Sequence, residues 1–168
     1  VMRSANAGPI GLHLLFDLRH RGYYHASYVI GVFRSADTSI SQNHVFGSLG
    51  GITGGEHTAN SVVEVHHNYV HHFNDYALPL GIDKDVTMIV HDNLLYEVGL
   101  EGWRSDTTSN NAVVYIYRNR FYNLMHVCEP GGYHGGSCGS NDLEFHVTNA
   151  TQYWYHNSFA ASTAMVRP

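Results

Sequence analysis

Five asparagines recur along this chain in one short frame, and that repeat restricts the fold more than any other feature. Asn43, Asn68, Asn93, Asn119 and Asn157 lie in TSISQNHVF, VEVHHNYVH, MIVHDNLLY, YIYRNRFY and YWYHNSFA, spaced by 25, 25, 26 and 38 residues. Three residues before each Asn stands Ile40, Val65, Val90, Ile116 or Trp154; two residues after stands Val45, Val70, Leu95, Phe121 or Phe159. Every one of these positions is apolar. A fixed period with matching columns is the mark of stacked structural units, each packing only on its neighbours.

The unit reads as strands. Val62–Val65 and Val113–Tyr117 are β-branched and aromatic, with no 3.6-residue stripe, so a helix is a poor fit. An antiparallel sandwich would not require columns at a fixed period. The apolar residue before each Asn points inward, and the Asn sits at a bend, where its amide bonds neighbouring backbone and tolerates left-handed conformations. In register, the amides can bond one another in a ladder. Tyr28–Val32 and Ala77–Ile82 read as a further strand of the unit, with Gly31 and Gly81 twelve residues before their Asn and Arg34 and Lys84 nine before. Each unit then holds two or three strands, stacked at about 4.8 Å.

These coils resemble the PbH1 repeats of right-handed parallel β-helix proteins, the pectin-lyase-like superfamily, over roughly residues 28–162. The resemblance implies an all-β right-handed parallel β-helix (a solenoid) of about six coils with an Asn ladder, residues 1–168 forming one segment. Residues 1–27 read as an irregular first coil. Their PIGLHLL, with SYVIG downstream, is similar to stretches in the β-helix tract of G8-containing fibrocystin-like cell-surface proteins, although Gly11 stands where those proteins usually have His.

Composition narrows the function. Charged residues are 14 % of the 168 and hydrophobic residues 43 %, which excludes a disordered tail. No apolar run approaches the roughly 18 residues of a membrane helix. The net charge of −5, with nine Lys plus Arg, argues against nucleic acid as a partner. The chain begins at Val1 without a signal-peptide pattern, and neither VMRSANAG nor STAMVRP reads as a cap helix. A larger parent chain, or neighbouring copies stacking at the ends into a fibre, is therefore expected.

The last spacing exceeds 25 by 13 residues, most of it in CEPGGYHGGSC, residues 128–138. A Gly-rich loop stapled by Cys128–Cys138 is the simplest reading, contributing about 2–3 kcal/mol and suiting an oxidising extracellular or cell-surface location. Two free thiols, or zinc on Cys128, Cys138 and His134 without a clear fourth ligand, are the alternatives. Asn149-Ala150-Thr151 is a glycosylation sequon, as in a secreted glycoprotein.

The residues two and four before each Asn face outward. They read Ser41, His66, His91, Tyr117, Tyr155 and Ser39, Glu64, Ile89, Tyr115, Tyr153. A strip of Tyr and His resembles a sugar-binding platform, with ring faces stacking on sugars. An interface with a covering loop or partner subunit is the other reading. Glu64, His66, His91, Tyr115, Tyr117, Tyr153 and Tyr155 are the candidate carbohydrate-binding residues, with a polysaccharide or glycan as partner.

The superfamily resemblance also implies a polysaccharide lyase as an alternative. Elimination needs a base and a cation against the carboxylate. His66, His91, Tyr115 or Tyr117 could supply the first, and Arg104, Arg118 or Arg120 the second. Asp83 with Asp85, or Glu97, Glu101 and Asp106, offer oxygen ligands that suit calcium; no other cofactor is expected. No diagnostic motif accompanies them, and the acidic balance disfavours a polyanionic substrate. Glu64 is the only acid on the outward columns of coils two to four, so a hydrolase pair is not evident. HHNYVHH at 66–72 flanks a bend rather than sharing a helical face, so it fixes no metal geometry, and its histidines could respond to pH together.

Overall fold

The computed structural model describes residues 28–46, 50–73, 76–98, 101–105, 111–122, 143–145, 149–160 and 166–167. The described chain is all-β. No helix occurs among these residues, and every strand pairing is parallel.

Three sets of strands alternate along the chain. The first sheet contains β2 (Thr38–Ser41), β5 (Val62–His66), β8 (Thr87–His91), β11 (Val113–Tyr117) and β14 (Thr151–Tyr155), neighbours in that order. The second contains β3 (His44–Phe46), β6 (Tyr69–Phe73), β9 (Leu94–Val98), β12 (Arg120–Tyr122) and β15 (Ser158–Ala160). The third set is β1 (Tyr28–Phe33) paired with β4 (Gly50–Gly55), followed by a sheet of β7 (Tyr76–Pro79), β10 (Glu101–Ser105), β13 (Leu143–Phe145) and β16 (Val166–Arg167). A Gly54–Leu80 bridge joins its two parts.

The register reproduces the sequence columns. Ile40, Val65, Val90, Ile116 and Trp154 are partners in turn across the first sheet. Val45, Val70, Leu95, Phe121 and Phe159 are partners across the second. Together with Val63, Met88 and Val114, and with Ile52, Ala77, Leu78, Leu80 and Ile82 from the third set, most of them form one buried core. Phe159, expected inside, is 40 % exposed. It lies on the last strand of its sheet, where Phe121 covers only one ring face at 4.9 Å.

The asparagines form the expected ladder. Asn93 Oδ1 accepts from the backbone N–H and the Nδ2 of Asn68, at 2.9 and 3.0 Å, while Asn93 Nδ2 donates to Val65 O and Asn119 Oδ1. The same pattern runs from Asn43 to Asn157. The left-handed residue, however, is the one before each Asn. Gln42, His67, Asp92, Arg118 and His156 have φ of 53–58°. That residue turns the corner, and the Asn beyond it is free to aim its amide along the ladder. A second left-handed column, Asn60, Asp85, Asn111 and Asn149, precedes the first sheet.

Two further expectations change. Strand β4 (GGITGG) gave no strand signal, yet it is buried throughout. Because Val32 pairs with Gly54, which bridges Leu80, Gly31 lies level with Thr53, and Gly81 is not its counterpart. The segment 1–27, the loop 128–138 with Cys128, Cys138 and His134, and Asp106 lie outside the described residues.

Candidate functional site

The outward column of the first sheet is a stack of rings. Parallel register puts His66 beside His91, His91 beside Tyr117, and Tyr117 beside Tyr155. Their ring centroids are 5.0, 4.7 and 4.9 Å apart and their planes lie within 4–6° of parallel. Tyr115 and Tyr153 stack beside them at 5.0 Å. In-register strands bring identical positions one rung apart, which is ring-stacking distance.

The geometry corrects the idea of a continuous platform. Rings stacked on one another present edges to solvent, since their faces cover each other. On β14 the rings turn one face away from the stack. Tyr153 and Tyr155, on β14, are 47 % and 43 % exposed, and no ring among the described residues stacks on their far side. His91, expected outside, is buried at 7 % exposure between its two ring neighbours.

The polar edge of the stack is tied up internally. His91 Nε2 meets Glu64 Oε1 at 2.8 Å, and its Nδ1 meets Asp92 Oδ2 at 2.6 Å. Both contacts are hydrogen bonds only when each ring nitrogen carries a proton. Arg118 grips Asp92 with two bonds, Nε to Oδ1 at 2.9 Å and Nη2 to Oδ2 at 2.6 Å, and lies 4.8 Å over the Tyr117 ring. This fork, aided by His91, holds the Asp92 carboxyl well below the usual carboxylate range. The same bond raises the Arg118 guanidinium. Burial lowers the His66 imidazole, with Glu64 opposing, and burial raises the Tyr117 phenol. His66 Nε2 meets Ser39 Oγ at 3.1 Å, and its Nδ1 meets His67 Nδ1 at 2.8 Å.

Two of the lyase candidates are paired with carboxylates. His91 has a carboxylate on each nitrogen, and Arg118 is neutralised by Asp92. Arg120 is exposed on the second sheet, and of Arg104, Glu97 and Glu101 only the backbone is described. Of the calcium candidates, Asp83 Oδ2 accepts from the His57 N–H at 2.8 Å, and Asp85 Oδ1 accepts from Asn111 Nδ2 at 3.1 Å. Among the described residues, one group could hold a metal. His67, His91 and Asp92 each offer one ligand atom, all within 4.8 Å of one another. Sequence reasoning missed this group because His67 and Asp92 belong to the left-handed column, and the signal was the polar residue immediately before each Asn.

A second aromatic column lies on β3, β6, β9 and β12. Phe46 stacks on His71 at 5.3 Å and Tyr96 on Tyr122 at 5.1 Å. His44 Nε2 meets His71 Nε2 at 2.6 Å, and His71 Nδ1 contacts His72 Nδ1. Asn149 of the sequon is exposed at a left-handed corner, just before β14. No family model, curated protein or solved structure matches this chain.

Proposed function

We propose that this chain is a right-handed parallel β-helix segment of about six coils that serves as a glycan-binding and structural module of an extracellular or cell-surface protein. Three parallel strand sets visited in rotation support the coil, and crossovers between parallel strands are right-handed as a rule. The observation that carries the binding role is the pair Tyr153 and Tyr155. Their rings lie side by side on one strand, no ring among the described residues covers their outer faces, and the column below holds both rings in place. Preorganised aromatic faces lose little entropy on binding, and phenol edges add hydrogen bonds to sugar hydroxyls. The net charge of −5 favours a neutral polysaccharide. Binding without turnover is the better reading because one base candidate, His91, and one cation candidate, Arg118, are held by carboxylates. Exposed Asn149 suits a secreted glycoprotein.

The test is affinity electrophoresis against neutral and acidic polysaccharides, with the incubated polymers then analysed by mass spectrometry. A neutral polymer should retard the protein and stay intact. Tyr153→Ala with Tyr155→Ala should weaken retardation by about tenfold, from about 0.5–1.5 kcal/mol for each lost aromatic contact. Unsaturated fragments would establish a lyase instead, and unchanged retardation in the double variant would remove the site from β14.

A further inference from the structure

We propose that His67, His91 and Asp92 form a zinc-type divalent metal site on the corner between the first and second sheets. The site does not depend on the glycan reading, since Tyr153 and Tyr155 contribute nothing to it. Its donors are two imidazole nitrogens and one carboxylate oxygen, each within 4.8 Å of the others. Two nitrogens and an oxygen with a position left open suit a zinc-type ion, whereas calcium prefers oxygen ligands throughout.

The fold holds these donors where they are. His67 and Asp92 are successive members of the left-handed corner column, both at φ 53°, so their side chains leave the backbone in the same direction one coil apart. His91 precedes Asp92 and is clamped between the His66 and Tyr117 rings. The surrounding bonds also fit. Glu64 Oε1 holds His91 Nε2 at 2.8 Å, which leaves Nδ1 directed toward Asp92. A carboxylate on the far nitrogen is the usual orienting partner of a metal-binding histidine. Arg118 holds that carboxylate with its fork, Nε on Oδ1 and Nη2 on Oδ2, so Oδ2 keeps only the lone pair turned to His91 for an ion. On loading, the ion replaces the proton between His91 Nδ1 and Asp92 Oδ2, and that proton goes to solvent.

Ring orientation separates ligands from neighbours. An imidazole binds a metal in the plane of its ring. His67 lies at 84° to His91 and can point at an ion in the His91 plane. His66 lies parallel to His91 with centroids 5.0 Å apart, so an ion in the His91 plane is out of its own. His66 is thus no ligand; it bonds Ser39 through Nε2 and His67 through Nδ1.

The experiment is titration of the chelator-stripped full chain with Zn²⁺, counting bound ion by elemental analysis after gel filtration and reading the Co²⁺-loaded form by visible absorption. The chain has 14 His, so the reading is the difference between variants. His67→Ala and Asp92→Asn should each lose one zinc equivalent and the matching cobalt bands. His66→Ala, which removes a neighbour but no ligand, should lose less than either, and Lys84→Gln, outside this corner, should keep both. His67 is exposed, so its truncation leaves the core intact, and circular dichroism of each variant checks the fold. Equal zinc content and equal cobalt spectra in wild type, His67→Ala and Asp92→Asn would overturn the site and place the ion elsewhere, for instance on His44, His71 and His72. Loss of the equivalent in His66→Ala with retention in His67→Ala would overturn the ligand assignment.

Discussion

At the scale of single residues, the ladder asparagines differ in what their loss exposes. Asn93 is buried and makes four side-chain bonds, two accepted and two donated. Asn93→Ala leaves the Asn68 N–H and one Asn68 Nδ2 proton without their acceptor in a dry interior, and takes one donor from Val65 O. Each orphaned group costs about 1–3 kcal/mol, so a loss of at least about 3 kcal/mol is expected in urea unfolding. Asn157→Ala, half-buried on the last rung, should cost about 1 kcal/mol. Equal losses at the two positions would mean that the ladder is not the stabilising element. His57 carries a pH dependence. It is 7 % exposed, its Nδ1 meets Ser35 Oγ at 3.1 Å, and its Nε2 has no hydrogen-bond partner. Burial pushes its value below 6.5, and nearby Asp83 only partly opposes this. The unfolded chain therefore takes up the proton first as pH falls. The contribution is fully present above about pH 6.5 and is lost as pH drops through the folded value, at no more than about 1.4 kcal/mol per pH unit. His57→Asn keeps a group for Ser35 and does not titrate, so the slope of its stability against pH should be shallower below about pH 6.5. An unchanged slope would assign the dependence to other histidines.

At the scale of elements, the repeat was legible because inward side chains and ladder amides are chemically demanding. A buried rung accepts only apolar residues before and after the Asn, so Ile40, Val65, Val90 and Ile116 left a pattern in the sequence. Strand β4 left none. Its environment asks for the absence of side chains, and GGITGG reads as a loop. A Cβ on Gly51 would meet Ala77 O at 2.3 Å, with Val70 Cγ1 at 3.0 Å. A backbone carbonyl cannot step aside, so Gly51→Ala should destabilise the chain by about 2–3 kcal/mol. At Gly31 a Cβ would first meet the exposed Phe33 ring, at 3.4 Å, and Gly31→Ala should change stability by less than about 1 kcal/mol. Thermal unfolding of the two variants decides between a packed β4 and a loose one; similar midpoints would contradict the packing. The outward columns were half legible. Alternation placed Glu64, His66, Tyr115 and Tyr117 on one face, but it could not say that the rings stack with their faces covered. Nor could it pair Arg118 with Asp92, because that contact joins residues 26 apart through a corner the sequence marks only by polarity.

For the whole molecule, in-register stacking builds ends that differ from the middle. Each rung between Asn68 and Asn119 both accepts from the rung before and donates to the rung after. Asn157 accepts from Asn119 and donates back to Ile116 O, and no further amide follows it among the described residues. Asn43, at the other end, turns its Nδ2 onto its own Ser41 O as well as Asn68 Oδ1. One end of the ladder thus has donors to offer and the other an acceptor. The strands around them match: β14 and β15 are the last strands of the first two sheets, with Tyr153, Tyr155 and Phe159 40–47 % exposed, and β2 and β3 are the first. Among the described residues no further strand covers these edges; an uncovered parallel edge is a template for another chain, and a head-to-tail contact of unlike ends continues as a filament. Mass measured by light scattering should therefore rise with protein concentration. Phe159→Lys should suppress the rise by placing a charge on that edge, while Tyr122→Lys, on the second sheet's outer face at 42 % exposure, should not. A monomer mass that stays constant across the range would show that the edges do not seek one another. A rise that both substitutions suppress equally would move the contact from the ends of the stack to its side.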